Sequence, residues 1–148
     1  MMSVKGMSDM QISEPSAKPQ YGVGDASFQA AGGEQGIRLL VNDFYQAMDE
    51  LPAAAHIRAM HPRSLDVASD KLARFLCGWL GGPKLYAEKY GSIHIPQAHA
   101  RLPIGSAERD AWMLCMKAAV AKQPFADDFK VYFLEQIYVP AERCRTQS

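Results

Sequence analysis

The chain has 148 residues, and its 16 Lys plus Arg are balanced by 16 Asp plus Glu, leaving no excess of positive charge to hold a phosphate backbone. Nucleic acid is therefore not an expected partner, and a single domain around one core is the expectation for this length. No apolar run approaches the roughly 20 residues of a membrane span, and the opening MMSVKGMSDM lacks the apolar centre of a secretion signal, so a cytoplasmic protein is expected. Cys77, Cys115 and Cys144 are odd in number and contain no C-x-x-C pair, which argues against a disulfide framework or a structural zinc site. Cys77 and Cys115 fall within helical patterns and are expected to be buried thiols.

Residues 1–24 mix Ser, Pro, Lys, Gly and Gln without helical periodicity, and they are expected to form an irregular extension. A short helix over Ser27 to Ala31 is broken at Gly32-Gly33. From Glu34 the apolar residues Ile37, Leu40, Val41, Phe44, Tyr45, Met48 and Leu51 recur at steps of three and four, which predicts an amphipathic helix ending near Pro52 with Tyr45 on its buried face. A short helical or irregular piece, Ala53 to Met60, leads to His61-Pro62, where the proline disfavours helical backbone and sets His61 at a bend.

The next helix is expected from about Asp66 to Leu80, with Leu65, Ala68, Leu72, Phe75, Leu76 and Trp79 along one side. Gly81-Gly82 supplies a left-handed cap and Pro83 prevents continuation. Between Lys84 and Gly105 only Leu85 to Tyr90 reads as helical, and a passage so interrupted by Gly91, Pro96 and Pro103 needs something other than backbone pairing to organise it. Ser106 is a candidate N-cap, with Glu108 and Asp110 in the first turn. Trp112, Cys115, Met116, Ala119 and Val120 continue that helix as an apolar stripe. A last helix over about Asp127 to Val139 presents Phe129, Tyr132, Phe133 and Ile137. Four substantial helices without strand alternation predict an all-α fold: a domain over residues 25–140 and a tail over residues 141–148.

The chemistry rests on four histidines, His56, His61, His94 and His99. The spacing of His94 and His99 is not that of a zinc site, and no Cys or carboxylate pair completes a metal set. Neither a G-x-S-x-G elbow, a phosphate loop nor a dinucleotide fingerprint is present, so hydrolase, kinase and dehydrogenase chemistry has no support.

A set of spaced motifs points elsewhere. Gly32-Gly33 precedes a helix bearing Phe44-Tyr45; Met60-His61-Pro62 follows, then Phe75-Leu76, Leu80-Gly81-Gly82-Pro83, Tyr86, His99, and Ile104 with Glu108-Arg109-Asp110-Ala111-Trp112. Together, over about Phe28 to Val139, these resemble the bacterial group II truncated haemoglobins. The resemblance implies a two-over-two helical sandwich around haem b, with His99 as the proximal ligand of the iron. It implies a ligand pocket holding Tyr45 and Trp112, with His61 near the haem edge and the small Ala68 offering little obstruction to an incoming ligand. Leu72, Phe75 and Leu76 would be apolar pocket wall, and Lys71 and Tyr86 match residues that reach the haem propionates. His61 is a departure, since many globins have Phe there and many of this group Tyr; its charge can change near neutral pH.

The function implied is reversible binding of dioxygen and other diatomic ligands, held tightly by distal hydrogen bonds and released slowly. The alternative is redox chemistry at the haem, either nitric oxide detoxification or a peroxidase-type reaction, which would draw on a separate reductase or electron donor. A third possibility is a haem-free helical interaction module. Monomer and homodimer are both compatible with the sequence.

Overall fold

The computed structural model describes residues 20–92 and 102–146. Among them every regular element is helical: α1 (Ala26–Ala30), α2 (Gly33–Glu50), a 3-10 turn at Pro52–Ala54, α3 (Ala55–Ala59), α4 (Asp66–Trp79), α5 (Leu85–Tyr90), α6 (Ser106–Ala121) and α7 (Asp127–Arg143). No helix among the described residues is long and apolar enough to cross a membrane.

The periodicity of α2 does what it predicts, burying Ile37, Leu40, Val41, Phe44, Tyr45, Ala47 and Met48 along one side. That side packs against α4 and α6, and α6 packs in turn against α7. Two layers of two helices result, α2 with α4 and α6 with α7, which is the expected two-over-two arrangement. Trp79 of α4 meets Phe133 of α7 edge to face, with ring centroids 6.0 Å apart. Phe44, Leu76, Met116, Phe129, Phe133 and Ile137 are essentially inaccessible, and at about 1.5–3 kcal/mol each their burial is the main favourable term holding the layers. Cys77 and Cys115 are buried as expected, and burial pushes the Cys115 thiol up to about 11.

The end of α4 fixes the corner that the rest of the fold turns on. Gly82 N–H donates to the Cys77 carbonyl at 2.8 Å and Gly81 N–H to the Gly78 carbonyl at 3.0 Å, the paired bonds of a Schellman cap. Gly81 has φ +92°, and a Cβ there would overlap the Gly24 carbonyl oxygen, so the position needs glycine twice over. Phe28 of α1 lays its ring over Gly82 and donates its N–H to the Leu80 carbonyl at 3.0 Å, joining α1 to this corner.

Two boundaries differ from the sequence expectation. Gly105, not Ser106, is the N-cap of α6: its N–H donates to Glu108 Oε1 at 2.7 Å, and Ser106 is already the first helical residue. The long carboxylate three positions on reaches back to the capping residue, so no hydroxyl is required. The last helix also runs through Pro140 to Arg143 rather than stopping near Val139. Pro140 forfeits one helical donor, but its ring is buried, and packing offsets the missing bond. Beyond the helix, Thr146 N–H donates to the Ile104 carbonyl at 2.7 Å, and Ile104 N–H donates to Thr146 Oγ1 at 2.9 Å. At the other end Tyr21 packs its ring 5.1 Å from those of Phe129 and Tyr132, and its hydroxyl donates to Asp128 at 2.9 Å.

Candidate functional site

Phe44 is the centre of an aromatic cluster where α2, α6 and the bend after α3 converge. Its ring centroid lies 4.9 Å from that of Tyr45 and 4.9 Å from that of Trp112. Tyr45 lies 5.9 Å from the His61 ring, edge to face. Tyr45 and Phe44 are successive residues of α2, Trp112 is brought in by the packing of α6 on α2, and His61 is set by the bend before Pro62. The three polar side chains expected in a ligand pocket are therefore gathered by elements distant in sequence.

Tyr45 is only 8% exposed and Trp112 is half-buried, yet neither Tyr45 Oη nor Trp112 Nε1 has a hydrogen-bond partner among the described residues. A buried donor such as the Tyr45 hydroxyl is uncommon without an acceptor, and the half-buried Trp112 indole adds a second open donor near it. Burial also pushes the Tyr45 phenol well above its usual range, so it remains a neutral O–H donor at physiological pH. His61 Nδ1 lies 2.9 Å from the Ile57 carbonyl oxygen. A carbonyl only accepts, so Nδ1 carries the proton, and in the neutral ring Nε2 keeps its lone pair.

Ala68, expected to leave the ligand's path open, and the three expected wall residues divide into two kinds. Ala68, Leu72 and Phe75 are partly buried and pack against the core from one side of α4, whereas Leu76 is completely enclosed and belongs to the core proper. Phe75 stacks on Trp79 with centroids 6.3 Å apart.

Lys71 and Tyr86 come together through a residue the sequence did not single out. Lys71 Nζ sits 5.3 Å from the centre of the Tyr90 ring, and Tyr86 packs against the same ring with centroids 5.1 Å apart. Tyr90 is in turn held by Asp70, whose Oδ2 accepts from Tyr90 Oη at 2.6 Å and Lys89 Nζ at 3.0 Å. Arg74 Nε donates to both Asp70 oxygens, at 3.1 and 3.0 Å, and Arg38 Nη2 reaches Oδ1 at 3.2 Å. The bonds from Tyr90, Lys89 and the two arginines hold the Asp70 carboxyl well below the usual carboxylate range. The i, i+4 spacing of Asp70 and Arg74 is visible in the sequence; the convergence of α2, α4 and α5 on one carboxylate is tertiary and is not.

A second unanticipated contact joins His56 of α3 to the first turn of α6, with Nε2 2.9 Å from Glu108 Oε2. His99 and His94 lie outside the described residues.

A family model described as bacterial-like globin matches residues 26–138. The chain belongs to that family. Among solved structures, the globin is similar to the group II 2-on-2 haemoglobin of Agrobacterium tumefaciens, at 35% identity over 82% of this chain and 95% of that one, with a TM-score of 0.78. The cold-adapted truncated haemoglobin of Pseudoalteromonas haloplanktis matches at 29% identity over 82% of this chain and 98% of that one, with a TM-score of 0.79. A group 2 truncated haemoglobin of Bacillus subtilis is 27% identical across 84% of this chain and 91% of its own length. Membership of the family implies a haem iron as cofactor and the binding of a diatomic ligand there.

Proposed function

We propose that the globin holds haem b through His99 and binds dioxygen tightly, with slow release governed by Tyr45, Trp112 and His61. The observation that carries this reading is the pair of donors around Phe44, Tyr45 Oη and Trp112 Nε1, which have no acceptor among the described residues. Such a donor set fits the ligand side of a haem. When bound, that group would supply a ferrous iron able to take a diatomic ligand.

The protein's part is then positioning and polarity. Two donors fixed by packing meet a polar ligand without reorganising, in surroundings of low dielectric. His61, with Nδ1 anchored on Ile57 and its ring 5.9 Å from that of Tyr45, adds a polar ring nitrogen to the surroundings of the two donors. Ala68, Leu72 and Phe75 supply the apolar side of the pocket, with Leu76 supporting them from the core. Lys71 and Tyr86 offer a cation and a hydroxyl to the propionates.

The test is oxygen dissociation measured by stopped flow in the reduced protein. Loss of one ordinary hydrogen bond, in Tyr45→Phe or Trp112→Phe, is expected to speed release roughly two- to tenfold. Unchanged release in both variants would remove the proposed role of the donors.

A second reading, peroxidase-type turnover, draws support from the His61 tautomer. A neutral imidazole with its Nε2 lone pair free is a general base able to take a proton from hydrogen peroxide, and the His61 ring stands 5.9 Å from that of Tyr45. It is separated from the first by steady-state peroxide consumption, which His61→Phe should depress while leaving oxygen binding in place. Nitric oxide consumption coupled to a reductase tests the remaining alternative.

A further inference from the structure

The corner between α4 and α5 contains more charge than its internal pairing uses. Arg38, Arg74, Lys89 and Lys71 are gathered there, and the carboxylates bonded to them are Asp70 and, through Arg38 Nε at 3.0 Å, Glu34. Asp70 is saturated by four donor side chains, and Arg74 Nη1 also donates to the Leu85 carbonyl at 3.3 Å, tying α4 to the start of α5. Lys71 is the cation of this group with no carboxylate partner among the described residues; what holds it is the Tyr90 ring, 5.3 Å away, whose other ammonium neighbour is Lys89 at 5.4 Å. Tyr86 flanks the same ring, and its hydroxyl has no partner among the described residues either.

We infer that Asp70 and Tyr90 are positioning residues for a carboxylate-binding corner, in which the Asp70 to Tyr90 bond fixes the ring on which Lys71 and Tyr86 rest and so aims both at the haem propionates. The inference rests on the proposal that the globin takes up haem, and it extends that proposal to residues that need not touch the cofactor. A flexible lysine meets a carboxylate at an entropic cost, which falls when an aromatic face already restricts the ammonium. The same ring is oriented at its far end by a 2.6 Å bond to a carboxylate anchored on two arginines from different helices. Removing the Tyr90 hydroxyl leaves the ring and both cation contacts possible but frees the ring to shift.

The experiment loads wild type, Tyr90→Phe, Lys71→Met and the double variant with haem or with haem dimethyl ester, whose side groups carry no charge. Loss of each pigment to excess apomyoglobin is then timed. Wild type should keep haem longer than the ester. Tyr90→Phe and Lys71→Met should each speed haem loss about three- to tenfold while leaving ester loss unchanged, and the double variant should speed it by clearly less than the product of the two single effects. Equal acceleration for both pigments would show a merely structural role and overturn the inference, as would haem loss that no variant changes. A wild-type apoprotein that takes up neither pigment would instead overturn the haem reading itself.

Discussion

His56 Nε2 lies 2.9 Å from Glu108 Oε2, joining the short helix ahead of the His61 bend to the first turn of α6. The other Glu108 oxygen accepts the Gly105 N–H at 2.7 Å, so one carboxylate caps a helix and holds a neighbouring one. Trp112 is one turn further along α6, and His61 is five residues beyond His56. Glu108 thereby ties together the two approaches to the aromatic cluster.

The Gly105 N–H, aided by His56, holds the Glu108 carboxyl below its ordinary value of 4.5. A depressed carboxylate contributes stability that is complete above the unfolded value and is lost as pH falls through the folded one. The melting temperature of wild type is therefore expected to exceed that of Glu108→Gln by a constant margin from neutral pH down to about 4.5, and the margin should shrink on further acidification. Thermal melts across pH 3 to 7 check this, and a margin that widens toward low pH would contradict it.

Asp70 predicts a local effect of a different kind. Asp70→Asn removes the charge that Arg38, Arg74, Lys89 and Tyr90 share, and α5 has no fully buried residue of its own to hold it in place. Amide hydrogen exchange across Leu85–Tyr90 should become faster, while exchange in α6 stays near the wild-type rate.

Leu72 and Leu76 are neighbours in α4 with different surroundings. Leu76 is completely buried, so Leu76→Ala should destabilise the apoprotein by about 2–5 kcal/mol in urea titration. Leu72 is only partly buried against the core, and Leu72→Ala should cost the apoprotein clearly less while speeding haem loss. Equal costs in the apoprotein would mean that Leu72 is core and not pocket wall.

Gly81→Ala should destabilise the protein by about 1–3 kcal/mol, because the left-handed backbone at φ +92° disfavours a side chain and the new Cβ would meet the Gly24 carbonyl. Chemical denaturation measures it, and Pro83→Ala, which removes only a helix stop beyond the cap, is expected to cost much less.

What could be read from the sequence followed the physics of each signal. Helical periodicity is local, and it located α2, α4 and α5 to within a residue or two and put Tyr45 on the buried side. The Gly81 cap was legible because so few residues tolerate its conformation. The cap of α6 was misplaced by one residue, since a serine is the stronger local signal and the reach of the Glu108 side chain becomes visible only in three dimensions. The last helix runs past its expected end near Val139 because the local cost of Pro140 is offset by burial of its ring, which is tertiary. Tyr45, His61 and Trp112 could be named together only through the resemblance of the whole motif set, for nothing in their separations of 16 and 51 residues brings them to one place. Asp70 stayed hidden because three of its four partners come from other helices or from far along the chain.

The central claim is tested most directly by the absorption spectrum of the purified protein in ferric, dithionite-reduced and carbon monoxide-treated forms, recorded beside His99→Gly. The account predicts a Soret band that shifts with reduction and again with carbon monoxide, and a variant whose proximal-ligand signature is lost and returns when imidazole is added to the buffer. A colourless wild type that takes up no haemin, or a variant with an unchanged spectrum, would contradict it.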